Sequence, residues 1–293
     1  MKKHSIYILS VFLLSTISLS LYGQDLVIVH TNDFHSQIEP FKSGRNAGTG
    51  GLLSLSGYLE DMRKEYPNLL YLDAGDYNQG TPYFNLFGGK VEVEGMNALG
   101  LFATTLGNHE FDNGLEDLVA RLKMADYHIL CANYDILYRP LRKLVKPYVI
   151  ARVNGMKIGI IGLTMNLNGL VSSQVLRHMK YRDVVQAANN LASRLTRKGC
   201  DLVICLTHQG VDADIKLAAR SRNIHLIIGG HSHTFLEEPV IQSDLDGHEV
   251  VIVQTGAYGV YAGRVDITFQ QRCIMFLENQ KWNGRIEVIC GSM

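Results

Sequence analysis

An α/β domain with mixed sheets is the fold class this sequence predicts, and three observations predict it. Short apolar β runs alternate with amphipathic stretches along the chain. Two of the runs, Tyr148–Val153 and Lys157–Leu163, meet at Asn154-Gly155. That dipeptide suits the left-handed backbone of a tight hairpin, so at least one strand pair is antiparallel. The composition is that of an ordinary globule: 293 residues, 46% hydrophobic and 19% charged, which excludes intrinsic disorder. Lys+Arg and Asp+Glu balance at 28 each, so there is no basic excess to hold nucleic acid and no acidic tail.

Taken in order, the chain opens with Lys2 and Lys3 ahead of an apolar stretch from Ile6 to Leu21 that is diluted by serines and Thr16. A basic start, a short apolar run and then small residues read as a secretory signal peptide over residues 1–23, cut after Ser20 or Gly23. The run is too short and hydroxyl-rich for a comfortable membrane span. The expectation is an exported protein, periplasmic or extracellular, with one domain over residues 24–293 and no stable span once the signal is removed. Strands are then expected at Leu26–His30, Leu69–Leu72, Ala103–Leu106 and His128–Cys131, followed by the hairpin pair. Four more are expected at Leu202–Leu206, Leu226–Ile228, Val250–Gln254 and Ala262–Phe269. Helical periodicity covers Leu52–Glu65, Val91–Leu99, Leu115–Met124, Tyr181–Thr196 and Ala213–Arg222.

Several features read as structural. The five cysteines form no C-x-x-C pair and so make neither a disulfide framework nor a zinc module. Cys131, Cys200, Cys205, Cys273 and Cys290 mostly fall in apolar runs and read as buried thiols, while export would permit a disulfide. Gly44 to Gly51 is a flexible loop with no Gly-Lys-Ser/Thr behind it, and Gly155, Gly159 and Gly162 lack the dinucleotide spacing.

Function is concentrated at strand ends. The runs end in Thr31-Asn32-Asp33-Phe34-His35, Asp73-Ala74-Gly75-Asp76, Gly107-Asn108-His109-Glu110-Phe111-Asp112, Thr207-His208 and Gly230-His231-Ser232-His233. In open α/β sheets, ligands bind at the carboxyl ends of strands, where loops gather side chains from distant parts of the chain. Asp33 with His35, and His231 with His233, are two apart and in extended backbone would project to one side. Carboxylate, imidazole and amide oxygen together suit divalent transition metals. Asp76 follows a glycine that allows a tight turn, and its carboxylate can bridge two ions. Asn108 and His109 are adjacent and point different ways, so one can bind metal while the other faces substrate. Asp112, three residues after His109, is placed to hold the imidazole proton. Two divalent cations against Asp33 and Asp76 leave a positive balance suited to phosphate and hydroxide. Glu110 reads as a support of its loop, and Asn133 mainly as structural. The aromatics between Tyr77 and Phe87 are left open between pocket and core.

These motifs resemble the calcineurin-like metallophosphoesterases, and the strings His-Thr-Asn-Asp-x-His, Asp-Ala-Gly-Asp-x-x-Gln-Gly-Thr-Pro and Leu-Gly-Asn-His-Glu-Phe-Asp-Asn-Gly resemble the catalytic, N-terminal domain of the secreted 5′-nucleotidase family. The resemblance implies a four-layer α/β/β/α sandwich. It implies one metal held by Asp33, His35, Asp76 and His233, and a second by Asp76, Asn108, His208 and His231. It implies two divalent ions, commonly zinc or manganese, with His109 and Asp112 as the dyad that stabilises the transition state. The implied reaction removes a terminal phosphate from a nucleotide or similar small ester; cyclic-nucleotide phosphodiesterase activity, or hydrolysis of another tetrahedral oxyanion ester such as a sulfur-linked one, is an alternative with the same site. Full-length members carry a C-terminal domain that binds the nucleobase, whereas the 24 residues after Phe269 suffice only for a hairpin. A separately encoded subunit supplying that domain is a further reading this leaves open.

Overall fold

The computed structural model describes residues 25–268, and the backbone alone of 273–276, 280–281 and 289–292. The expected signal segment and the side chains of Cys273 and Cys290 lie outside the described residues. In chain order the strands are β1 (Asp25–Thr31), β2 (Leu70–Asp73), β3 (Ala103–Thr105), β4 (His128–Leu130), β5 (Tyr134–Ile136), β6 (Val145–Lys146), β7 (Tyr148–Val153) and β8 (Met156–Thr164). They continue as β9 (Met179–Tyr181), β10 (Leu202–His208), β11 (Leu226–Ile228), β12 (Val240–Ser243), β13 (Glu249–Val253), β14 (Tyr261–Thr268), β15 (Cys273–Phe276), β16 (Gln280–Lys281) and β17 (Ile289–Ser292). The helices are α1 (Gly51–Glu65), α2 (Pro82–Phe87), α3 (Lys90–Ala98), α4 (Gly114–Leu122), α5 (Arg139–Leu144), α6 (Ser173–Leu176), α7 (Val184–Arg197) and α8 (Val211–Ala219).

Two mixed sheets form. The first runs β17-β15-β14-β1-β2-β3-β4-β6, with β16 also on β14; β1, β2, β3, β4 and β6 are parallel and β14 is antiparallel to β1. The second runs β12-β13-β11-β10-β8-β7, with a parallel centre and antiparallel strands at both edges. The hairpin signal at Asn154-Gly155 joins β7 to β8, and Asn154 takes φ 49° and Gly155 φ 83° there.

Alternation along the strands sorts the side chains into layers. On β8, Ile158 and Ile160 face one way while Ile161 and Leu163 face the other; β10 divides Leu202, Ile204 and Leu206 from Val203 and Cys205 in the same manner. The first set joins Leu26, Ile28, Leu70 and Leu72 of the first sheet in a core between the sheets. The second set packs beneath Ala188, Ala192 and Leu195 of α7 and Leu217 of α8. The outer face of the first sheet carries α1, α3 and α4 through Leu55, Leu59, Val93, Met96 and Leu118. The result is the α/β/β/α order. Strands buried on both faces explain why the central runs read as continuously apolar.

The two sheets are drawn together near the carboxyl ends of their strands. A Cβ on Gly162 would collide with Leu130 of the other sheet, Thr164 Oγ1 donates to Leu106 O at 2.7 Å, and Asn133 bridges the gap by donating to Thr164 O at 2.6 Å and accepting from Thr164 N at 2.9 Å. Asn133 therefore serves the seam between the sheets. Helix boundaries differ from expectation where caps intervene. The expected helix at Tyr181 begins instead at Val184, because the Asp183 carboxylate accepts from Gln186 N at 2.7 Å and Met179–Tyr181 is spent as strand β9 on β5. Among the described residues, no helix is long and apolar enough to cross a membrane.

Candidate metal centre

The site forms where the carboxyl ends of both sheets meet. Loops after β1, β2 and β3 bring Asp33, His35, Asp76 and Asn108, while β10 and the loop after β11 bring His208, His231 and His233. All seven converge. His35 Nε2 and His233 Nε2 stand 2.8 Å apart, and Asp33 Oδ1 lies 3.3 Å from His233 Nε2 and 3.8 Å from His35 Nε2. On the other side, His208 Nε2 is 2.9 Å from Asp76 Oδ2, with the His231 ring 5.3 Å from that of His208. Two groupings result, Asp33-His35-His233 and Asp76-His208-His231, each with its ligand atoms within 4.8 Å of one another.

The pairing of these residues has a different cause from the one their spacing predicts. Asp33, His35, Asp76, His231 and His233 take φ of 52°, 48°, 56°, 78° and 52°, so neither two-residue pair is extended. Left-handed backbone costs non-glycine residues of order 1–3 kcal/mol and persists only where surroundings enforce it. Here the enforcement is visible. Asp33 N donates to Gly75 O at 2.9 Å, and His35 N to Asp76 O at 3.0 Å. His231 N donates to Asp33 Oδ2 at 2.9 Å. Gly75 is required at φ 89°, where a Cβ would stand 2.8 Å from Gly107 N.

Electrostatics show that the centre calls for positive charge. His208 Nδ1 donates to Ala74 O at 2.7 Å, so the neutral ring would turn a lone pair toward the carboxylates of Asp76 and Asp33. Burial alone lowers the His208 pKa, but Asp76 and Asp33 outweigh it and carry it up to about 10. Burial likewise favours a protonated Asp76, yet His208 and His109 hold it down at about 2. Asn108 Oδ1 is buried without a hydrogen-bond partner. An orphaned amide oxygen, two facing imidazole edges and two carboxylates fit divalent cations by donor type.

His109 Nδ1 is 2.8 Å from Asp112 Oδ2, and this hydrogen bond, ahead of the opposing effect of burial, raises the His109 pKa. The ring also lies within reach of His35 and Asp76 as a third potential donor grouping, but its Nδ1 is held by Asp112. Glu110 is wholly buried, and its carboxylate accepts from Gly107 N at 2.5 Å, Asp76 N at 3.1 Å and Asn78 Nδ2 at 3.3 Å. It ties the loops after β2 and β3 together. Two contributors are absent from the sequence reading. Asn32 holds Asp33 by donating to Oδ2 at 2.6 Å while its own Oδ1 accepts from Thr255 N at 2.9 Å; its place beside Asp33 in the first motif was the available signal. Tyr258 sets its ring 5.7 Å from His35 and 5.9 Å from His233, and nothing in the sequence marks it. Tyr77 and Phe84 belong to the core, whereas Phe87 is exposed.

A grouping of Asp244, Asp246 and His248 lies in the turn between β12 and β13. It is accounted for by turn chemistry, since Asp244 Oδ1 accepts from Asp246 N and His248 N, and Asp246 pairs with Arg222.

The profile of the family described as calcineurin-like phosphoesterase matches residues 26–235. A snake venom 5′-nucleotidase of Crotalus adamanteus is 34% identical over 286 residues, covering 90% of this chain and 48% of its own length. The crystal structure of a 5′-nucleotidase precursor from Thermus thermophilus superposes with a TM-score of 0.80 at 31% identity, over 91% of this chain and 54% of that one. The NAD nucleotidase of Haemophilus influenzae gives 0.77 at 32% identity, over 84% and 47%. The chain thus spans about half the length of the relatives it matches. With its fold, its convergent donors and these likenesses, the chain belongs to the calcineurin-like phosphoesterase family of metal-dependent phosphoric ester hydrolases.

Proposed function

We propose that this chain is an exported phosphomonoesterase of the 5′-nucleotidase type, removing a terminal phosphate from nucleotides or similar small esters. The observation that carries the reading is the pair of donor groupings sharing one cleft, with Asp76 between the His208 side and the His109 backbone, whose N–H donates to Asp76 Oδ1 at 2.9 Å. Asp33, His35, Asp76 and His233 would hold one cation, and Asp76, Asn108, His208 and His231 the other. When bound, two divalent cations, zinc or manganese as the family resemblance implies, would supply an activated water and neutralise phosphoryl charge. The protein's own groups do the rest. Asp112 fixes the His109 tautomer and keeps the ring inclined to carry a proton. His109 then offers its Nε2 edge to stabilise charge on the departing oxygen or to protonate it. The left-handed loops hold the donors in place before substrate arrives, which lowers the reorganisation needed during reaction.

Export is supported by the basic and apolar start of the chain and by a relative named as a venom protein. The test is direct. Purified protein should release phosphate from AMP, lose the activity on chelation and regain it with zinc or manganese. Asp76→Asn should lower bound metal and activity together. Failure to release phosphate from AMP or from an aryl phosphate at full metal occupancy would sink the reading.

A further inference from the structure

The segment that carries His231 and His233 has nothing apolar with which to pack. It reads Gly230-His231-Ser232-His233-Thr234, Ser232 and His233 are exposed, and both histidines are left-handed, at φ 78° and 52°. A strained polar loop keeps one shape only where its surroundings hold it. Much of that hold comes from one side chain. Gln254, the first residue after β13, is wholly buried. Its Oε1 accepts from Ser232 Oγ at 2.9 Å and from Thr234 N at 2.7 Å, and its Nε2 donates to Gly230 O at 3.2 Å. The Thr234 N–H can only donate and the Gly230 carbonyl can only accept, so the amide fits in one orientation. Neither a carboxylate nor an apolar side chain could make all three bonds. With the Ser232 proton given to Gln254, the Thr234 hydroxyl donates to Ser232 Oγ at 2.9 Å, and Val211 N of α8 donates to the same oxygen at 3.3 Å.

The next residue ties the same strand end to the other sheet. Thr255 donates through N and Oγ1 to Asn32 Oδ1, at 2.9 and 2.7 Å, and Asn32 Nδ2 donates to Asp33 Oδ2 at 2.6 Å. Asp33 Oδ2 also accepts from His231 N at 2.9 Å, which closes the circuit back to the loop that Gln254 grips. His233 belongs to the grouping with Asp33 and His35, and His231 to the grouping with Asp76 and His208. A clamp on both ends of Gly230–Thr234 therefore fixes the two groupings against each other, whereas Asn32 holds a donor of one grouping alone. We propose that Gln254 is a positioning residue of the phosphoesterase centre, on whose reading above it rests, and that through the Gly230–Thr234 loop it sets the spacing between the two cations.

Gln254→Met removes the three bonds at nearly constant volume, and Ser232→Ala removes one of them from the solvent side. Manganese is titrated into the metal-free protein by calorimetry, and the loaded protein is examined by electron paramagnetic resonance. Two manganese ions sharing one carboxylate couple magnetically, whereas separated ions give independent signals. In Gln254→Met both binding steps should weaken, each by about 10- to 100-fold, as for other lost supports of a metal ligand, and independent signals should replace the coupled one. Ser232→Ala should shift both steps the same way by a smaller factor. Weakening of one step alone, or wild-type titrations with a coupled spectrum in Gln254→Met, overturns the proposal. Where Gln254→Met does not fold, Ser232→Ala decides: two weakened steps support the clamp and unchanged ones overturn it. Both steps weakened as expected, with no phosphate released from AMP or an aryl phosphate by the loaded wild type, would support the clamp and overturn the phosphoesterase reading instead. A wild type that binds fewer than two manganese ions overturns both.

Discussion

Removing the Glu110 carboxylate should loosen the metal centre from beneath, and the structure gives the size of the effect. Glu110 Oε2 is the acceptor for two buried backbone donors, Gly107 N and Asp76 N, and Oε1 accepts from Asn78 Nδ2. In Glu110→Ala the two N–H groups lose their acceptor in a site closed to bulk water. At roughly 1–3 kcal/mol for each buried group left unpaired, the loss is about 2–6 kcal/mol. Burial first, and then the neighbouring Asp76 charge, raise the Glu110 pKa, so relief of that strain pulls the net cost toward the lower end. Against a domain stability of about 5–15 kcal/mol this is severe. Glu110→Gln is the control. Its single amide oxygen can serve both N–H groups, and its NH₂ faces Asn78, whose Oδ1 is buried without a hydrogen-bond partner and becomes available by an amide flip. That variant should cost under about 1.5 kcal/mol. The assay is urea unfolding with and without zinc, paired with metal titration, where loss of a supporting contact typically weakens affinity by about 10- to 100-fold. An alanine variant with wild-type midpoint and wild-type metal affinity would refute the reasoning.

His109→Ala should keep its metals and lower kcat by about 10²–10⁴-fold, the contribution of a positioned acid–base group; turnover at the wild-type rate with full metal content would remove His109 from the mechanism. Asp214 gives a pH dependence: burial pushes its carboxyl up to about 7, against the opposing effects of its hydrogen bonds and of nearby His208, and Oδ2 has no hydrogen-bond partner. The folded chain therefore holds a proton that the unfolded chain has already lost, so this group's stabilisation is present below the unfolded pKa and fades as pH rises through about 7. Asp214→Asn should flatten that slope, gaining on the wild type between pH 5 and pH 8 in urea midpoints. An unchanged difference across that range would show that Asp214 does not titrate there.

Much of the sheet order's raw material is plain in the sequence, because the central strands are buried on both faces and leave long apolar runs. Tyr148–Val153 and Leu226–Ile228 are observed with the bounds their patterns predict. The short elements are not legible in this way. The β5–β9 pair and α2, α5 and α6 are too brief for any periodicity to register. At the site, residue identity was legible and geometry was not. His231 and His233 announce themselves by type and motif, but their left-handed backbone arises from neighbours distant in the chain. Tyr258 is invisible for the same reason: its position depends on Asp33 O and Gly51 N, which no local pattern links to it.

A centre whose donors are divided between two sheets inherits the mechanics of the joint between them. Asp33, His35, Asp76 and Asn108 ride on one plate and His208, His231 and His233 on the other, so the gap between the plates is also the gap between opposing candidate donors. Filling or hollowing the packing between the plates, well away from any donor, would then widen or narrow the jaws that grip the cations. Side chains such as Leu130, packed between the sheets against Gly162, would then become a means of tuning metal preference by thickness alone.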